Sequence, residues 1–391
     1  LQSDINGRRV LSLTEEGHEW AERIPVDLSA WKLTSAPVVA VSGVESGDDP
    51  TREHLRTKLF RGAGLDAVRA EFKSSQAVGL GDMLGLVHAA LHALPAKRFV
   101  LLAGLSGPGK SLLARDYANA YCAALKLPVA EHHRQIPVRP DWTDPAGLLG
   151  FINPIVNPPT FQGTQALALV IKAVNDPENP YFLCLDEMNL ARVEHYFAPF
   201  LSAMEGARLE IHAEREMIDN VPASVDWPKN LFIIGTVNMD ESTHAFSDKV
   251  LDRAFVFEFW DVDLDAWAKS KGSSVDPVLL NRVLSVMRPI HAALFEARRH
   301  FGYRSLNEVL QFCEHVASSS PSDGVALTRA IDQAVFSKIP TRVRGDDGGG
   351  LESALEAVRA VCISQGLSQS LRKVEAMKQS LRSMGAARFW A

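Results

Sequence analysis

The sequence predicts an α/β fold: a parallel sheet flanked by helices, followed by an all-helical C-terminal domain. Three observations carry this reading. Short apolar runs at Arg98–Ala103, Tyr181–Leu185 and Leu231–Val237 alternate with stretches of helical periodicity, the pattern of strands buried on both faces. A glycine-rich loop, Gly104-Leu105-Ser106-Gly107-Pro108-Gly109-Lys110-Ser111, joins the first of these strands to a helix beginning near Leu112. After about Asp263 the strands stop, and only amphipathic patterns remain, near 276–300, 305–318, 325–338 and 351–383.

Taken in order, residues 1–75 form an N-terminal region. Arg8 to Gly17 reads as a strand running into a helix capped by Thr14, similar to the wing and last helix of a winged-helix domain, and Gly43–Pro50 reads as a linker. Residues 76–262 form the α/β nucleotide-binding domain, with helices near 80–94 and 111–125, a loop-rich tract over 138–162, a helix over 164–175 and a last strand at Phe255–Phe259. Residues 263–391 form the helical domain, its last two helices separated by the Gly345–Gly350 loop.

The 391 residues are 46% hydrophobic and 23% charged, as in ordinary soluble globular proteins, and no apolar stretch approaches a bilayer span of about 20 residues. With no signal-peptide pattern, the expected compartment is the cytoplasm, with no membrane partner. A net charge of −6 gives no global pull toward nucleic acid, so any DNA contact needs a local basic patch or another region or subunit. The four cysteines are scattered without C-x-x-C or metal-ligand spacing, and Cys122 and Cys184 sit in apolar runs as buried reduced thiols.

The glycine loop between strand and helix is an anion site, because backbone N–H groups and the positive helix end face the same point. Gly104, Gly107, Pro108, Gly109 and Leu112 shape it, Lys110 reaches the β- and γ-phosphates, and the Ser111 hydroxyl ligates Mg²⁺. Asp186 and Glu187 follow an apolar strand about 75 residues on. Asp186 is placed to hold the Mg²⁺ shell, and Glu187 to orient and polarise the attacking water. Asn238, after a third strand, can bond the γ-phosphate or the lytic water without adding charge. Arg253, just before Phe255–Phe259, can reach a neighbouring subunit's γ-phosphate; its alternative partners are Asp252 or the helix dipole.

With these residues in order, the chain resembles the AAA+ NTPases. The strings Leu185–His195, Thr236–His244 and Phe246–Arg253 resemble the McrB-like branch, the motor subunits of modification-dependent restriction systems. The resemblance covers about 75 to 385. It implies a helical lid, assembly into a homo-hexameric ring, hydrolysis at subunit interfaces and a partner nuclease subunit, McrC-like. It also implies a DNA target in a defence setting. Glu241 stands where the family has Asp and Ser242 where it has Arg, which leaves ATP or GTP open as the substrate, ATP first. In the lid, Arg304 is the candidate to sense nucleotide, with Arg342 and Arg344 behind it. Two further readings stand beside the motor: a MoxR-type protein-remodelling chaperone and a nucleotide-dependent DNA-binding regulator.

Three other features have plainer readings. His132-His133 lacks ligands at metal spacing and reads as loop or edge polarity. The proline- and aromatic-rich tract 140–161 is a packed surface loop or an insertion facing pore or partner. The basic stretch Arg372–Arg388 reads as a solvated helix face before a DNA contact.

Overall fold

Side chains alternate across an extended chain, so a strand buried on both faces must be apolar throughout. Phe99–Gly104 (β1), Tyr181–Asp186 (β3) and Leu231–Asn238 (β4) meet that requirement along most of their length in the computed structural model of the chain, with polar residues only toward their carboxyl ends: Asp186 on β3 and Thr236 and Asn238 on β4. With His133–Pro137 (β2) and Phe255–Phe259 (β5) they form one wholly parallel sheet of order β5-β1-β4-β3-β2. The structure describes residues 2–3, 9–10, 60–72, 78–214, 216–239, 244–319, 324–346 and 350–390.

The chain divides into two units, 1–56 and 57–391. In the first, Gln2–Ser3 pairs antiparallel with Arg9–Val10; the winged-helix-like helix and the linker lie outside the described residues. In the second, Leu65–Glu71 (α1), Leu80–Ala93 (α2) and Lys110–Ala124 (α3) cover one face of the sheet. Gln165–Asn175 (α4) and the segments after β3 cover the other. Val100, Leu102, Phe182, Cys184, Phe232 and Ile234 face the first core. Leu101, Leu183, Leu185, Ile233 and Val237 face the second. Residues 60–72, grouped by the sequence reading with the N-terminal region, thus pack on the α/β core, α1 lying against α3.

Beyond β5 come Leu264–Lys271 (α5), Pro277–Phe295 (α6), Tyr303–Ser319 (α7), Gly324–Lys338 (α8), Leu351–Gln365 (α9) and Ser368–Met384 (α10). They enclose a third core that contains Trp267, Val283, Phe301, Leu306, Ile331 and Leu355. Leu105, the second residue of the glycine loop, is fully buried and belongs to this helical core rather than to either sheet core.

Four expectations need correction. The run read as one helix over 351–383 is two, because Gly366 takes a left-handed φ of 71° between α9 and α10. The sheet has a strand, β2, that the sequence reading missed; it is an edge strand of sequence His-Arg-Gln-Ile-Pro, ending in Pro137, with none of its residues fully buried. The tract read as loop over 138–162 contains a short helix, Ala146–Leu149, and a hairpin pairing Gly150–Asn153 with Thr160–Gly163. Phe151, Ile155 and Val156 are exposed around the hairpin's tip. Finally, α6, at 19 residues, is long and apolar enough to cross a membrane by length and composition, although Leu279, Val283, Met287 and Ile290 are buried in the helical core.

Candidate functional site

Parallel strands bring ligands to the crevice beyond their carboxyl ends. Because β4 lies between β1 and β3, the ends of all three converge: the glycine loop after β1, Asp186-Glu187 at the end of β3 and Asn238 at the end of β4. Two backbone bonds tie the end of β1 to its neighbours β4 and β5. Met239 N donates to the Gly104 carbonyl at 2.9 Å, and Leu105 N to the Phe259 carbonyl at 3.2 Å.

The loop enters α3 through Gly107 and Gly109, at φ 94° and 117°, and α3 begins at Lys110. Fifteen helical residues present their positive end to the loop. The Lys110 side chain is buried, its ammonium donating to the carbonyls of Gly104 (3.2 Å) and Leu105. Next to it, Ser111 Oγ donates to Asp186 Oδ1 at 2.6 Å. The same oxygen accepts from Thr236 Oγ1 at 2.5 Å, while Gln135 Nε2 of β2 approaches Asp186 Oδ2 at 3.5 Å. Glu187 stands at φ 55°, ψ 51°; its N–H donates to Thr236 Oγ1 at 3.0 Å. At the other end of the same residue, Asn238 Nδ2 donates to Glu187 Oε1 at 3.0 Å.

The helical region closes the crevice. Arg304, at the start of α7, donates its backbone N–H to the Gly107 carbonyl at 3.2 Å. A Cβ on Gly302 would lie 2.5 Å from the carbonyl carbon of Gly107 and 2.7 Å from Pro108 N, so glycine alone lets the two backbones approach this closely. The result is a cleft of about 450 Å³ lined by Ser106–Leu112, Asp186, Glu187 and Asn238 on one side. On the other stand Trp267, Ser270 and Lys271 of α5 with Tyr303, Arg304, Asn307 and Gln311 of α7. Asn307 Oδ1 accepts from Trp267 Nε1 (2.9 Å) and Lys271 Nζ (2.6 Å), which ties α5 to α7. Burial pulls the Lys271 ammonium below its usual range, and Glu314 opposes that shift.

The structure therefore gathers Gly107, Pro108, Gly109, Lys110, Ser111, Leu112, Asp186, Glu187, Asn238 and Arg304 around one cleft; Gly104 does not line it, but its carbonyl accepts from Lys110. Arg253 is not among them. Its guanidinium pairs with Glu205 at 3.2 Å rather than with Asp252, and donates to the carbonyls of Leu201 and Lys249, the latter at the carbonyl end of the short helix Asp248–Leu251. Arg342 and Arg344 do not line the cleft. Sequence reading missed Thr236, Gln135, Trp267, Lys271, Asn307 and Gln311. A threonine two residues before Asn238 on one strand was the available signal for Thr236, since residues i and i+2 share a face; the others carry no motif.

Of the pair read as loop or edge polarity, His133 lies on the edge strand β2, whereas His132 is buried at the end of a short helix, Val129–His132. Among the described residues no group of three or more His, Cys, Asp or Glu could hold a metal ion. His132 donates to the Pro180 carbonyl at 2.9 Å and stacks on Tyr181; His133 donates to Asn119 Oδ1 at 3.1 Å. In α10, Lys378 pairs with Glu356 and Arg382 with Glu352, while Lys373 donates to the Phe389 carbonyl at 2.7 Å. All four cysteines are free and buried, and burial pushes the thiols of Cys122 and Cys313 up to about 12 and that of Cys362 to about 11. Such thiols are poor nucleophiles at neutral pH.

Residues 261–386, from just after β5 to just past α10, match the family DUF8727, described as a domain of unknown function. No curated protein matches the chain. A solved structure of C. elegans PCH-2 is similar over 70% of this chain and 72% of that chain, at 14% identity and a TM-score of 0.35. That likeness is too slight to bear on the fold or on the cleft.

Proposed function

We propose that the chain is a nucleoside triphosphatase of AAA+ type, and that the cleft between glycine loop and helical region binds ATP or GTP. One observation carries the reading: an amide-lined loop at a helix N-terminus shares a cleft with a lysine, a serine–aspartate pair, a glutamate gripped by an asparagine, and an arginine from the facing helix. The loop amides and Lys110 bind the β- and γ-phosphates. Ser111 Oγ and Asp186 Oδ1, 2.6 Å apart, are hard oxygen donors of the kind Mg²⁺ takes alongside phosphate and water. When bound, the ion neutralises charge on the phosphate oxygens.

The remaining chemistry belongs to the chain's own side chains. Glu187 accepts a hydrogen bond from the attacking water and orients it in line with the γ-phosphate. Asn238 fixes the carboxylate by its bond to Oε1. Arg304 places positive charge on the phosphate side of the cleft from α7, so occupancy of the cleft is linked to the pose of the helical region, which acts as a lid. Arg253 lies outside its own cleft, and its role is to complete the site of a neighbouring copy in a ring, expected to be a hexamer.

The strings around Asp186, Asn238 and Arg253 support the finer reading, a motor subunit of a McrB-like restriction system in which a nuclease partner cuts DNA. Side-by-side hydrolysis of ATP and GTP, with and without DNA, tests it. DNA-stimulated turnover supports the motor, turnover indifferent to DNA but stimulated by a protein substrate supports the remodelling chaperone, and absence of any turnover refutes the hydrolase.

A further inference from the structure

Glu187 is held in a backbone region that residues with a Cβ seldom enter, at φ 55° and ψ 51°. Something must over-determine it, and Thr236 is placed to do so. An amide N–H can only donate and a carboxylate can only accept, so the direction of both bonds at the Thr236 hydroxyl is fixed. It accepts from Glu187 N–H at 3.0 Å and gives its single proton to Asp186 Oδ1 at 2.5 Å. Thr236 is 3% exposed, so water does not compete for either bond. Thr236 and Asn238 lie two residues apart on β4 and so share a face; one grips the Glu187 amide and the other its carboxylate.

We infer that Thr236 is a positioning residue: its hydroxyl locks the Glu187 peptide in the left-handed conformation and so sets where the Glu187 carboxylate stands over the cleft. The role goes beyond the hydrolase reading of this site and rests on it for its catalytic meaning. Valine keeps the shape and the γ-methyl without the hydroxyl, whereas serine keeps the hydroxyl without the methyl.

The test compares Thr236→Val and Thr236→Ser with the wild-type chain. The readouts are turnover of ATP and GTP, affinity for Mg²⁺-free ADP and GDP, and exchange of the Glu187 amide hydrogen. Thr236→Val is expected to lower kcat about a hundredfold with diphosphate affinity within about threefold, and Thr236→Ser to restore turnover. In a Glu187→Gln background Thr236→Val is expected to lower the rate no further. The Glu187 amide is expected to exchange at least about tenfold faster in Thr236→Val than in wild type or Thr236→Ser. Equal exchange in all three proteins overturns the proposal, as does equal loss of turnover in the Val and Ser variants. A wild-type chain that neither binds nor hydrolyses nucleotide overturns the hydrolase reading instead, and amide exchange then decides alone on the Thr236 lock.

Discussion

Replacing Gly302 by alanine is the sharpest probe of how the helical region meets the glycine loop. The added Cβ would stand 2.5 Å from the Gly107 carbonyl carbon, 2.7 Å from Pro108 N and 2.8 Å from the Gly107 oxygen. All three are backbone atoms, so no side chain can swing away. Ordinary carbon contacts lie near 3.5 Å, so the start of α7 must retreat by about 1 Å. The Arg304 N–H to Gly107 carbonyl bond, now 3.2 Å, then passes out of hydrogen-bonding range. Losing it costs about 1 kcal/mol, and residual overpacking adds about 1–2 kcal/mol, which for a chain of this size lowers Tm by about 3 °C. A 1 Å displacement of Arg304 from the phosphates should weaken triphosphate binding about tenfold, or 1.4 kcal/mol. Scanning fluorimetry and calorimetric titration with ATP and GTP read both effects. Gly81→Ala serves as the control, since nothing lies within 4 Å of a Cβ there, and it should be neutral or slightly stabilising in α2. If Gly302→Ala matches wild type in both Tm and affinity, the close approach does not shape the cleft and the argument fails.

Three more outcomes follow from the geometry. Lys110→Ala should lose at least about tenfold in nucleotide affinity, because the buried ammonium is the loop's own charge; calorimetry showing unchanged binding removes Lys110 from the site. Arg253→Ala should keep nucleotide affinity and lose turnover, and mixing it with Glu187→Gln subunits should restore part of the rate through hybrid interfaces; no rescue on mixing refutes action on a neighbour. Burial holds His92, His133 and His291 near a pKa of about 4 against an ordinary 6.5, and His88 is lowered too. The unfolded chain therefore takes up protons first, so stability is complete above about pH 6.5 and is lost as pH falls toward 4. A full shift of this size is about 3 kcal/mol, but these rings are only partly desolvated, and screening reduces it to about 1 kcal/mol each. Urea midpoints measured from pH 7.5 to 4.5 should fall steadily, and a flat profile would show that these histidines are not held neutral.

Much of the sheet and the cleft was legible because each depends on a local pattern. Apolar runs of five to seven residues mark β1, β3 and β4, and the loop, Asp186-Glu187 and Asn238 each sit directly at the end of one of them. The edge strand β2 was not legible, because an edge needs to satisfy only one neighbour and tolerates His133, Arg134 and Gln135. Nor could sequence show that Gly366 ends α9, since both flanking stretches keep a helical period and a single glycine interrupts it. The far wall of the cleft, Arg304 apart, was invisible for another reason. Trp267, Lys271 and Asn307 come together only through the packing of α5 on α7, about 40 residues apart in the chain, and no spacing rule links them. Arg253 shows the opposite limit: its place before β5 was legible, but its Glu205 partner, 48 residues upstream, was not.

Leu105 gives the glycine loop a second allegiance. By chain position it continues β1, yet its side chain is buried among the helices beyond β5. A loop held this way is a cooperativity device. The helical region cannot peel from the sheet without stripping Leu105 of its cover and slackening the peptide that flanks Lys110. Any ligand that tightens the loop therefore raises the free energy of opening at a distance, so the sub-global unfolding of α5–α10 should merge with global melting when the cleft is filled. The single leucine makes the durability of one half of the molecule a report on the contents of the other.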